Sequence, residues 1–191
     1  MLRDAGIDPV VRVSGVDEDA LAATLTGATP VKLVTALAAA KAHAVAADIA
    51  IEYPDAVVVG CDSMLYIDGE LVGKPGCAEA AFQRWQAMAG GTGELITGHA
   101  VVRLDQGVRA ATTSGAQTTA VRFSTPSTEE IAAYVGTGEP LQVAGGFTLD
   151  GRGGWFVDGI EGDPSSVIGI SLPLTRRLLA EIRVPVVSLW T

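Results

Sequence analysis

The stretch that most constrains the fold is "AVVVGCDSMLYIDGELVGKP", residues 56 to 75. Ala56 to Val59 form an unbroken apolar run without the alternation of a half-exposed strand. Residues 56 to 61 therefore read as a fully buried strand. "MLYI" and "ELV" flank Asp68-Gly69, a dipeptide suited to the two positive-φ positions of a tight hairpin. The run leads directly into Asp62, and the hairpin ends on Lys74 between Gly73 and Pro75. A carboxylate and an ammonium at such places need an explanation in terms of either packing or chemistry.

The rest of the chain supplies helices around this core. After "MLRDAGIDPV", the segment "VRVSGVDEDALAATL" reads as a short strand-like piece and an acidic helix start. "TPVKLVTALAAAKAHAVAAD" predicts a strong helix, with Thr29 as cap, Pro30 in the first turn, and Val34, Ala38, Lys41 and Val45 on one face. "CAEAAFQRWQAMAGG" predicts a second, burying Phe82, Trp85 and Met88 and stopped by the glycine pair. Residues 95 to 123 read as strands turning at Gln106-Gly107 and at Ser114-Gly115. In "STEEIAAYVGTG", Ser127 and Glu130 make a capping box, with Gly136 at the C′ position. "VAGGFTLDGRGGWFVDGIEGD" returns to strands and glycine turns, and "LPLTRRLLAEI" is the last helix. No repeat or linker interrupts residues 1–191, so the chain reads as a single domain. Helix crossovers mixed with hairpins point to an α/β or α+β fold, a mixed twisted sheet flanked by helices.

Composition narrows the function. At 191 residues, 48% hydrophobic and 18% charged, the chain can bury a substantial core. Its formal net charge of −9 repels phosphate backbones, so duplex nucleic acid is not an expected partner. A small anionic substrate remains compatible where a metal ion or a few cations reverse the local potential. Cys61 and Cys77 form neither a CxxC pair nor a zinc spacing, and fit reduced thiols of a cytoplasmic protein. No segment reads as a membrane span or a secretory leader.

Several residues are chemistry candidates, each with a plainer reading beside it. Asp62, leaving a buried strand, can ligate Mg²⁺ or accept a proton from water, or it simply starts a turn. Lys41 sits on an apolar helix face, where an unpaired charge is costly; it reaches an anion or snorkels at the core edge. Lys74 in "VGKP" is not a P-loop lysine, because Gly69 is one residue too close and Pro75 replaces the hydroxyl. Its contact to a phosphate would be that of a point charge. Asp17, Glu18 and Asp19 suit the first turn of a helix through its dipole, and one of them can equally be a metal ligand. His43 and His99 have no triad or HExxH partner and read as structural. The glycine-dense run after residue 143 either wraps a ligand with N–H groups or is a series of tight turns.

Together these segments resemble the Maf family of nucleoside triphosphate pyrophosphatases. "VSGVDED" is similar to the family's S-x-x-D-E, "LAAAKA" to L-A-x-x-K-A, and "VVGCDSML" to the strand ending in G-x-D-[TS]. "LVGKP" resembles L-G-K-P, "ITGHAVV" resembles T-G-H-x-V, and "AGGFTLDGRGGWFVDGIEGDPSSVIGISLPL" resembles the long C-terminal motif. The resemblance implies metal-dependent hydrolysis of a nucleoside triphosphate to the monophosphate and pyrophosphate, with Mg²⁺, Mn²⁺ or Co²⁺. It implies Asp62 as catalytic acid residue and proton acceptor, Glu18 and Asp62 at the metal, and Lys41 and Lys74 on phosphates. Ser63 and Asp150 fall where members differ by substrate, and a homodimer is also implied. Members begin with an apolar strand and an S-x-S-P-x-R segment, whereas this chain starts inside the following helix at "MLRDAGI", and Ser166 replaces a family-like asparagine. The expectation is an N-terminally incomplete domain, destabilised and poorly active. A nucleotide-binding regulator of cell division without turnover, or an inactive truncated form, therefore stands as the alternative.

Overall fold

A computed structural model describes residues 1–191. In chain order it contains helices α1 (Glu18–Thr24) and α2 (Pro30–Ile49), strands β1 (Val57–Ile67) and β2 (Glu70–Val72), and helix α3 (Ala78–Met88). Strands β3 (Thr92–Asp105) and β4 (Val108–Phe123), helix α4 (Thr128–Gly136), strand β5 (Val157–Glu161) and helices α5 (Pro164–Ile168) and α6 (Leu172–Glu181) follow. Three 3-10 turns lie between α4 and β5 and a fourth near the C-terminus. The strands form one sheet in the order β2-β1-β3-β4-β5. Helices flank it and its strands run antiparallel, which places the fold in the expected α/β (α+β) class.

Local chemistry explains the connections. Asp68 and Gly69 have φ of 52° and 84°, and Gln106 and Gly107 have 51° and 76°, the left-handed pairs that close two-residue hairpins. The turn expected at Ser114-Gly115 does not form, and β4 passes through it unbroken. Gly115 instead faces α6, where a Cβ would lie 3.4 Å from Leu174 Cδ1, so the glycine marks helix packing. The strand-like piece before α1 is irregular, with Val10, Val11 and Val13 exposed. An apolar-polar alternation becomes a strand only when another strand pairs with it.

The chain divides into two compact units, residues 1–62, 97–117 and 170–191, and residues 63–96 and 118–169. In the first, α2 packs Ala38, Ala42, Ala46 and Ile49 onto Val58, Ala100, Val102 and Leu104. Val57 and Val59 pack instead with the α6 cluster of Leu174, Leu178 and Leu179. Both faces of the early β1 residues are thus covered, which is why the run lacks alternation. Two glycines set how closely α2 approaches. A Cβ on Gly60 would lie 2.5 Å from the Ala38 carbonyl oxygen, and one on Gly98 2.2 Å from that of Val34. These neighbours are backbone atoms that cannot swing aside, so only glycine fits.

His99 is fully buried in this unit. Its Nε2 accepts the Ser171 N–H at 2.8 Å, which puts the ring proton on Nδ1, 3.1 Å from the Thr97 carbonyl oxygen. Ser171 caps α6 by accepting from the Leu174 N–H. The histidine is a neutral brace between β3 and α6, in agreement with its structural reading.

The second unit is organised by Trp85 of α3. Its ring meets Phe123, Tyr134 and Phe156 edge-on at centroid distances of 5.8, 5.6 and 5.7 Å. Its indole N–H donates to the Gly146 carbonyl at 2.8 Å. Helix α4 begins with the expected capping box of Ser127 and Glu130 and contributes Ile131, Tyr134 and Val135 to the same core.

Candidate active site

Three of the nominated residues meet in the first unit. Asp17 caps α1 by accepting the Ala20 N–H at 2.9 Å, which puts Glu18 in the first turn. Lys41 follows Ala38 on α2 and precedes Ala42, the two residues whose backbone rests on Gly60. That contact brings Lys41 to Asp62, two positions further along β1. Lys41 Nζ lies 2.6 Å from Asp62 Oδ1 and 2.7 Å from Glu18 Oε1. Asp62 is buried at 8% exposure, whereas the Glu18 side chain is 40% exposed. One ammonium therefore bridges a carboxylate from the strand and another from a helix N-terminus.

The geometry decides between the open readings. Asp62 does not start a turn, because β1 continues through it to Ile67. Nor is Lys41 a snorkelling lysine at the core edge: its charge is paired twice. Burial opposes that charge, but the hydrogen bonds that Lys41 donates to Asp62 and Glu18 outweigh burial and move the amine's pKa upward. Such a group contributes stability in full below the ordinary lysine value of about 10.4 and loses it as pH rises through the raised value. The stability gap between wild type and Lys41→Met, read by urea denaturation, should stay constant from pH 6 to 10 and narrow only above that. A gap closing between pH 7 and 9 would contradict the pairing.

Cys61 is a spectator beside this cluster. Burial, with the Asp62 charge next in importance, pushes its thiol up to about 12, so it stays protonated. Both cysteines are free thiols.

Glu18 Oε1 and Asp62 Oδ1 meet at the Lys41 ammonium, so a metal ion would need the remaining oxygens of these two neighbouring hard donors, and no third His, Cys, Asp or Glu joins them there. Such a pair fits a Mg²⁺-type ion that keeps waters and takes further oxygens from a substrate phosphate, not an all-protein cage.

The remaining candidates lie in the second unit. Ser63 and Asp150 line one cavity of about 200 Å³ together with Leu95, Phe147, Thr148 and Val167. Lys74 is exposed on the loop after β2. The carbonyl of the preceding Gly73 accepts from Arg84 Nη1 at 2.6 Å and from the Gly145 N–H at 3.1 Å, which anchors the loop. A larger groove of about 630 Å³, lined by residues including Tyr134, Arg152 and Trp155, holds none of the nominated residues. The glycine-dense run is used for close packing at Gly151 and Gly153, which seat against Glu139, Thr148 and Tyr134. Glu139 has no counterpart among the sequence candidates. Its trace in the sequence is Gly151, where a Cβ would lie 2.6 Å from Glu139 Oε1.

The profile of the Maf family, described as Maf-like protein, matches residues 1–182. The chain belongs to the Maf family. It is 66% identical over 191 residues to a protein named nucleoside triphosphate pyrophosphatase in Saccharopolyspora erythraea, and 61% identical to one of the same name in Nocardia farcinica. Both alignments cover all of this chain and 90% of the relative. A Mycobacterium sp. protein, again with that name, is 56% identical over 193 residues, covering all of this chain and 92% of its own length. No helix of this Maf-family chain is long and apolar enough to cross a membrane.

Proposed function

We propose that this chain hydrolyses nucleoside triphosphates at the α–β anhydride, releasing the monophosphate and pyrophosphate. The observation that carries the reading is the Glu18–Lys41–Asp62 cluster, in which one cation holds two carboxylates at a common point. Water adds to phosphorus, the bridging P–O bond breaks, and the water proton passes to Asp62 as general base. Lys41 has three N–H donors. Two are engaged by Asp62 and Glu18, and the third is available to a phosphoryl oxygen, where a fixed positive charge is most useful as negative charge develops. Lys74 is assigned to a phosphate by its L-G-K-P-like motif, and Ser63 and Asp150 to the choice of base.

A divalent cation, Mg²⁺, Mn²⁺ or Co²⁺, bound through Glu18 and Asp62 would neutralise phosphoryl oxygens. The names of the relatives support hydrolysis of a nucleoside triphosphate.

Phosphorus NMR of the products tests the reading. Incubating the chain with each common nucleoside triphosphate and Mg²⁺, Mn²⁺ or Co²⁺ should give pyrophosphate and monophosphate resonances. Orthophosphate with nucleoside diphosphate would overturn the bond assignment. Binding without any product would favour a nucleotide-binding regulator.

A further inference from the structure

Glu139 opens the 3-10 turn after α4, outside every motif that nominated a site residue. Its Oε1 accepts from the Thr148 hydroxyl at 2.5 Å and from the Gly153 N–H at 3.1 Å. Its Oε2 lies 3.6 Å from the Arg152 guanidinium. The Gly153 N–H is shared with Thr148 Oγ1 at 3.3 Å, and Tyr134 Oη stands 3.4 Å from the same Thr148 oxygen. One carboxylate thus ties together both ends of the segment from Thr148 to Gly153. The glycines permit it: a Cβ on Gly151 would lie 2.6 Å from Glu139 Oε1, and one on Gly153 2.5 Å from Tyr134 Oη.

The consequence lies in what the tied segment carries. Thr148 and Asp150 both line the cavity that also holds Ser63. Because the Thr148 hydroxyl proton is committed to Glu139, the Thr148 side chain offers no hydrogen-bond donor to the cavity, and the Asp150 side chain offers only acceptors when ionised. The polar character of the cavity therefore depends on a residue outside its lining. Burial of Glu139 opposes its charge, but the hydrogen bonds from Thr148, Gly153 and Arg152 prevail and hold its carboxyl below the usual range, so the tie is charged at neutral pH.

We propose that Glu139 is a positioning residue that fixes the 148–153 segment and thereby the nucleotide selectivity of the Ser63–Asp150 cavity. This rests on the hydrolytic reading above.

The test compares wild type with Glu139→Ala and Glu139→Gln, measuring kcat and KM for ATP, GTP, CTP, UTP and dTTP, together with exchange of the Gly153 amide. In Glu139→Ala the Gly153 amide should exchange about tenfold faster, the loss of roughly one hydrogen bond. The kcat/KM ratio between the best and worst nucleotides should shrink by about tenfold, carried by KM and not by kcat. Glu139→Gln can still accept from Thr148 and Gly153 and should restore most of both. An unchanged ratio in Glu139→Ala, or an equal kcat loss for every nucleotide, would overturn the proposal. A wild type inert toward all five would instead refute the hydrolytic reading. Monophosphate binding by calorimetry would then decide: a flattened order of affinities in Glu139→Ala supports the positioning role, and an unchanged order overturns it.

Discussion

Trp85→Ala should lower the free energy of unfolding by about 3–5 kcal/mol. Trp85 has no exposed surface, and the core of the second unit is assembled around it. Removing the indole leaves a cavity bordered by Phe123, Tyr134 and Phe156, rigid rings on separate elements that cannot all close in. Each edge-on pair contributes roughly 0.5–1.5 kcal/mol beyond area burial, and three are lost together. The Gly146 carbonyl also loses its donor, a cost of about 1–3 kcal/mol when the acceptor stays buried. Trp85→Phe keeps one ring and so should fall between alanine and wild type. Urea denaturation of the three proteins checks the order. A loss below about 1 kcal/mol in Trp85→Ala would contradict this description of the core.

Much of the architecture was legible because it follows from local rules. Asp68-Gly69 and Gln106-Gly107 could be read as turns because their backbones require positive φ. The Ser127–Glu130 capping box and the Thr29-Pro30 helix start satisfy orphan N–H groups within a few residues. Lys41 was conspicuous as a charge on an apolar face, and the structure resolves the anomaly by pairing it. What stayed hidden depends on distant contacts. Asp17, Glu18 and Asp19 are three adjacent acids of similar propensity, yet only Glu18 reaches Lys41, 23 positions away by residue number. Gly115 resembles a turn glycine in sequence, and only the approach of α6 shows that it is a packing glycine. Glu139 acts on Thr148 and Gly153, and Gly151, which reveals it, has an equally good reading as a turn glycine.

The second large effect is on activity. Asp62→Asn should reduce pyrophosphate release by about 10²–10⁴-fold, the usual contribution of a positioned general base. The substitution is chosen because it leaves the surroundings nearly unchanged. Asparagine has the same volume, and its amide oxygen can still accept from Lys41 Nζ, which now lies 2.6 Å from Asp62 Oδ1. It loses the ability to take a proton and one of the two negative charges at the common point. Asp62 is also one of the two carboxylates that would hold a divalent cation, so the comparison is made at saturating metal, where nucleotide binding should survive the loss of one carboxylate charge. A drop in kcat with KM little changed is therefore expected, the pattern of a group that acts in the transition state.

The most direct measurement is single-turnover pyrophosphate release by wild type and Asp62→Asn under the same metal and nucleotide conditions, with nucleotide affinity measured in parallel. We expect release by the wild type, a loss of at least about a hundredfold in the variant, and affinity within a few-fold of wild type. Release by Asp62→Asn within a few-fold of the wild-type rate would contradict the assignment of Asp62 as the proton acceptor.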